Sequence, residues 1–209
     1  MRFDIWITCF IASVILSLSP GAGAIFAMTS GLNHGLKRGL YGIAGLLLGM
    51  WTVFIVAVIG LGALTKSSLL AFNLLKWGGV LYLAYLGLAR FRSHQHKLEL
   101  LRDEKNQSSG LKLIAQGWAV NAVNPKGYIF MVAVIPQFVE YTRPLLIQYG
   151  IMIATMTFND AMIMAFYAGL AAKVTHFFST DKQMDIINKT FGILFILAAL
   201  GLSVFSKKH

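Results

Sequence analysis

The chain has 209 residues, of which 57% are apolar and 12% charged, with a formal net charge of +10. Soluble domains carry charge on about 25% of their residues, so this balance excludes an ordinary water-soluble domain and points to lipid as the main solvent. No compact basic segment with interleaved aromatics exists to hold a nucleic acid; the loop cations fit an anionic lipid leaflet instead.

A spanning helix needs about 20 mostly apolar residues. Six such stretches follow one another, at about 5–28, 39–64, 69–91, 113–139, 145–172 and 187–205. The first and fourth carry internal prolines and read as broken helices. Loops are short except at 92–110, and the region from Arg90 to Lys112 holds six of the 18 basic residues and three of the eight acidic ones. The expected fold is therefore an all-α integral membrane protein with six transmembrane helices in a single domain, 1–209. Cytoplasmic loops retain Lys and Arg in excess. With the amino terminus outside, the inner loops hold eleven of these residues against five outside. That count favours external termini and a cytoplasmic central loop, although Lys207 and Lys208 argue the other way.

In the first stretch, "SLSPGAGAIF" stops an apolar run and lets it resume. Ala22 to Ala24 resembles a small-residue cleavage site, so a processed leader is one reading. The flank before it holds one cation and one anion, Arg2 and Asp4, and the apolar run continues beyond the small residues. A helix broken inside the membrane is the other reading. Pro20 removes a helical hydrogen bond, while Gly21 and Gly23 permit dihedrals that other residues resist. A half-helix starting there presents NH groups that suit an anion; the plainer alternative is a kink with close glycine packing. Cys9, the lone cysteine, reads as a small buried apolar group. In the second stretch Gly42, Gly45 and Gly49 recur at helical spacing and predict close approach of another helix. Trp6, Tyr41, Trp51, Trp77, Tyr82, Tyr85 and Trp118 fit either interface belts or cavity walls.

The fourth stretch contains "VNAVNPKGYIF", with Asn121, Asn124 and Lys126 around Pro125. A charge near the bilayer centre costs several kcal/mol on insertion scales, so Lys126 should face water or an anion unless it snorkels from a helix end. Its partner is expected in the fifth stretch, where Asn159 and Asp160 stand in "MTFNDAMIM". The proton affinity of Asp160 would depend on whether its cavity is wet or occupied, which makes it a candidate proton carrier. A fixed ion pair that merely docks two helices predicts the same contact. The first break, Lys126 and Asp160 together suit a zwitterion.

The two halves of the chain resemble each other. "GAIFAM" follows Pro20 as "GYIFMV" follows Pro125; "YGI" recurs at Tyr41 and Tyr149; and "WGGVLYLAYLGLARF" at 77–91 matches "FGILFILAALGLSVF" at 191–205. A unit with three spans must enter the membrane in opposite directions in its two copies. The expected architecture is two inverted three-helix repeats, about 1–91 and 111–209, joined by the loop at 92–110. Inverted repeats with broken helices near the midplane recur in transporters.

"SPGAG", "GLNHGLKRGLYGIAGLLLG" and "NPKGYIFMVAVIPQFV" together resemble the lysine exporter (LysE/RhtB) family of bacterial amino-acid exporters, over nearly the whole chain. The resemblance implies a multi-pass protein of the bacterial inner membrane that exports amino acids or close derivatives using the proton-motive force. It carries over Pro20, Gly21, Asn124, Pro125 and Lys126 as motif positions. Family members commonly read Pro-Gly-Pro at the first break, where this chain has Ala22 after Gly21, so a more flexible break is expected, which leaves open a shifted substrate preference or lost transport.

The partners expected are therefore an amino acid, protons and lipid, with a homo-oligomer compatible. No cofactor or metal is expected, and an enzyme is disfavoured by the lack of a nucleophile–base or metal constellation. Two alternatives stay open: export of an inorganic or heavy-metal cation, weakened by few His, Cys and acidic residues in the spans, and a non-transporting assembly component.

Overall fold

A computed structural model describes residues 1–19, 21–67 and 109–173, together with isolated helical positions at 81, 85, 88, 189, 193 and 196. Pro20, most of the third and sixth expected spans, and nearly all of the central loop lie outside the described residues. Among the described residues all regular structure is helical: α1 (Phe3–Leu18), α2 (Ala22–Ser67), α3 (Gly110–Ala122), α4 (Pro125–Phe138) and α5 (Leu145–Lys173).

Helix α1, with 16 residues, rises only about 24 Å, short of the roughly 30 Å apolar core of a bilayer. Helix α2 begins at Ala22. It is not one rod, because Gly35 has φ 72° and ψ 167°, a conformation that a Cβ makes costly. The chain doubles back there: a Cβ built on Gly39 would meet the backbone of Gly31 and Ser30, and one on Gly42 would meet Phe26. The apolar stretch Ala22–Gly62 is long enough to cross a membrane, as is Leu145–Ala172, but the first is folded at Gly35 into a short arm and a long arm.

The long arm of α2 packs against α3 with almost no side-chain spacer. A Cβ on Gly45 would overlap the Ile114 carbonyl, and one on Gly117 would overlap that of Gly42. Gly49 likewise abuts the Trp118 carbonyl, so the glycine stripe in the second stretch serves close helix contact. Between α4 and α5, the buried Gln148 donates to the Glu140 carbonyl at 2.9 Å and accepts from the Glu140 NH at 2.9 Å, which fixes the connection.

Two apolar clusters hold the bundle. One joins α1, α2, α4 and α5 through Cys9, Val53, Phe54, Phe130, Val134 and Met152. The other joins both arms of α2 to α5 through Ala24, Met28, Leu46, Met164 and Ala168. Many large apolar side chains, among them Ile11, Ile55, Phe158 and Phe166, are exposed; hydrocarbon accepts such a surface, whereas water disfavours it. The indoles follow the same division. Trp6, Trp51 and Trp118 donate to the hydroxyls of Thr155, Thr157 and Thr52, at 3.1, 2.9 and 3.1 Å.

Candidate functional site

Helix α1 stops at Ser19, whose ψ of 118° leaves the helical region. A helix end leaves its last carbonyls without intrahelical partners, and here two other helices supply donors. The Lys126 ammonium donates to the carbonyls of Leu16 at 3.3 Å and Ser19 at 3.2 Å. The Tyr167 hydroxyl donates to the Leu18 carbonyl at 2.6 Å. A cation is favourable at this end of a helix, because the peptide dipoles leave it partly negative.

The second interruption is explained by its own residues. Asn124 is the N-cap of α4, its side-chain oxygen accepting from the Lys126 NH at 3.1 Å, and Pro125 takes the first helical position. Proline suits that position because its missing NH is not needed there, and asparagine is among the preferred caps. "Asn-Pro-Lys" is thus a helix start that delivers a lysine in its first turn, beside the end of α1.

Helix α5 brings the acid. Asp160 is 8% exposed, and the Ser17 hydroxyl and the Lys126 charge both act on its carboxylate. Asn159, one residue earlier, is rotated away by the helical step. Its amide donates to Ser13 Oγ at 2.6 Å and to the Phe10 carbonyl at 3.4 Å, tying α5 to α1.

These ends enclose a cavity of about 70 Å³ at the seam between the two apolar clusters. A water needs about 10–15 Å³ on this measure, so the space would take roughly five waters, the bulk of one small amino acid. Gly21, Gly23, Asn121, Asn124, Lys126 and Asp160 all line it. Asn121 also ties α3 to α2, its amide donating to the Leu46 carbonyl at 2.8 Å. Pro125 and Asn159 do not line the cavity, and Pro20 lies outside the described residues. Among the described residues, Lys126 and Asp160 are the one cation and the one acid in the lining.

The wall contains groups that sequence reasoning overlooked. Ser13, Ser17 and Ser19 contribute hydroxyls, and Met50, Met131, Met156 and Met164 form much of the apolar surface. Ser13 and Ser17 stand four residues apart on one helical face, and that spacing in an apolar run is the signal that could have found them. Chemically, the cavity offers an ammonium group, a carboxylate, serine hydroxyls and asparagine amides, with flexible thioethers between.

The LysE type translocator family profile matches residues 14–205. The homoserine/homoserine lactone efflux protein of Salmonella typhimurium is 39% identical over 209 residues, covering 100% of both chains. An uncharacterized membrane protein of Vibrio cholerae is 32% identical over 94% of this chain and 95% of its own length. The leucine efflux protein of Enterobacter sp. is 25% identical over 90% of each chain. No solved structure matches. The extent of these matches establishes that the chain belongs to the LysE type translocator family.

Proposed function

We propose that this protein exports small, uncharged-side-chain amino acids or their close derivatives from the cytoplasm, as a secondary carrier coupled to proton entry. The observation that carries the reading is the cavity in which Lys126, Asp160 and two helix starts meet. A zwitterion fits this charge pattern: its carboxylate faces Lys126 and the start of α2, and its ammonium group faces Asp160. The relatives named for efflux of homoserine, homoserine lactone and leucine support amino acids as the class. Asp160 is the proton carrier in this scheme, since it is the acid of the cavity among the described residues. Gly21, Gly23, Asn121 and Asn124 shape the binding surface; Asn159 holds α5 in register with α1.

The loop charges and the similarity of the two halves support the rest of the reading. The protein sits in the bacterial inner membrane with its termini outside and its central loop in the cytoplasm, as two inverted repeats of three helices each. Alternating access then means that the cavity between the broken helices opens to one side at a time.

The test is uptake of labelled homoserine, homoserine lactone and leucine into inverted vesicles carrying a pH gradient. Export in the cell appears as uptake in this arrangement. Wild-type vesicles accumulate substrate only with the gradient, and Asp160→Asn and Lys126→Ala abolish accumulation when uptake is normalised to the folded protein in the vesicles. Normal accumulation by both variants would refute the mechanism, and gradient-independent accumulation would refute proton coupling.

A further inference from the structure

Ser19 is 2% exposed, lines the cavity, and among the described residues its hydroxyl has no hydrogen-bond partner. Buried hydroxyls are normally paired, and in membrane helices Ser and Thr usually donate to a carbonyl one turn back. Ser13, Thr29 and Thr52 follow that habit, donating to Phe10, Ile25 and Leu48. Ser19 does not: its backbone NH still donates to the Ile15 and Leu16 carbonyls at 3.1 and 3.2 Å, but its hydroxyl joins neither bond. Its own carbonyl meanwhile accepts from the Lys126 ammonium at 3.2 Å, and a Cβ on Gly21 would stand 3.6 Å from the same nitrogen. An unmatched hydroxyl is thus held at the wall of a cavity, in the segment that the lysine touches.

We propose that the Ser19 hydroxyl is a ligand for the carboxylate of the exported amino acid, donating to it beside the Lys126 ammonium. This assignment rests on the exporter reading. The polarity of the surroundings selects the carboxylate end. A substrate ammonium group at Ser19 would meet the like charge of Lys126, whereas a carboxylate there meets a cation, a hydroxyl donor and the start of α2. Small residues at Gly21 and Gly23 leave the approach open. The substrate ammonium group then lies toward Asp160, which already has Ser17 beside it.

The test compares substrates with and without a carboxylate, using the full-length protein in proteoliposomes. The pairs are homoserine against homoserine lactone, and leucine against leucinamide. Loss of one hydrogen bond to a charged group corresponds to about a tenfold change in affinity. In Ser19→Ala, KM for homoserine and leucine is expected to rise about tenfold, while KM for lactone and amide moves less than about twofold. Ser19→Thr, which keeps the hydroxyl, should restore carboxylate discrimination. Because the hydroxyl is unpaired in the empty protein, the unfolding midpoint of substrate-free Ser19→Ala should equal or exceed that of wild type. Ser19→Cys, nearly isosteric with a weak donor, gives the same comparison should the alanine variant fold poorly.

Equal KM shifts for both members of each pair would overturn the carboxylate assignment. Unchanged KM with a lowered midpoint would show a structural hydroxyl, held by water or backbone, and would overturn it too. Wild-type proteoliposomes that move none of the four compounds would overturn the exporter reading itself, and the assignment would fall with it.

Discussion

Replacing Lys126 by methionine removes the charge but keeps a chain of similar length. Two ammonium–carbonyl bonds are lost, and at 3.3 and 3.2 Å they lie at the long end of the range. The larger effect is electrostatic, because Asp160, 8% exposed, then has no cation acting on it from the cavity lining. Removing one partner of a buried charge pair costs about 3–5 kcal/mol. The half-buried position of Lys126 argues for the lower end, so Lys126→Met is expected to destabilise by about 3 kcal/mol. Asp160→Asn leaves the two carbonyl bonds in place and should cost about 1–2 kcal/mol, in line with ordinary loss of a charge-assisted contact. In Lys126→Met/Asp160→Asn no unbalanced charge remains, so the double variant should be more stable than the sum of the singles predicts by at least about 1 kcal/mol. The assay is SDS titration in mixed micelles, followed by tryptophan fluorescence, beside transport in vesicles. Stability should recover in the double variant while transport stays absent. Single effects that add to within about 0.5 kcal/mol would mean that the two side chains do not sense each other, and the electrostatic account would fail.

Gly35→Ala should destabilise by about 1–3 kcal/mol through backbone strain alone, since a Cβ there meets nothing within 4 Å; a loss below about 0.5 kcal/mol in the same titration would contradict the strained turn. Asn124→Ala removes the cap of α4 and should cost about 1 kcal/mol, with Asn124→Asp recovering most of it. Lysine should be exported at least about tenfold less efficiently than homoserine, because among the described lining residues one acid is available for two positive charges on the substrate. Competition of unlabelled lysine against labelled homoserine measures this, and equal competition would refute it.

The helical, lipid-dissolved character of the chain is legible in its composition, because apolar excess with clustered charges has few other solutions. The glycine stripe is legible for a similar reason: three small residues on one helical face have little use except close contact, and Gly45 and Gly49 abut the backbone of α3. Lys126 and Asp160 are visible as residues costly to bury, but spacing alone does not say that they share a cavity. Asn159 illustrates the limit. Adjacent residues on a helix point about 100° apart, so the sequence pairs it with Asp160, while the packing turns it onto Ser13 and Phe10. The serines are harder still. A hydroxyl in a membrane helix normally pairs with its own backbone, so residue type carries little information. Ser19 becomes informative only once its backbone is known to be extended and its oxygen unpaired.

The polar groups around the cavity are largely committed to the protein itself. Asn121 donates to the Leu46 carbonyl, the Asn124 oxygen accepts from the Lys126 NH, and the Lys126 ammonium holds the end of α1. An entering ligand therefore finds few donors free of competition, and what it gains must exceed what it displaces. A carboxylate beside Lys126 is attracted to the same charge that the α1 carbonyls already use. Any weakening of those two bonds on binding loosens the tie between the start of α4 and the end of α1. In the proposed exporter, binding energy and the freedom of the end of α1 are in this way connected through one side chain. In the proposed exporter a neutral residue at position 126 would supply shape for a substrate but not that connection; the lysine sits in the first turn of a capped helix, where its backbone is held by Asn124.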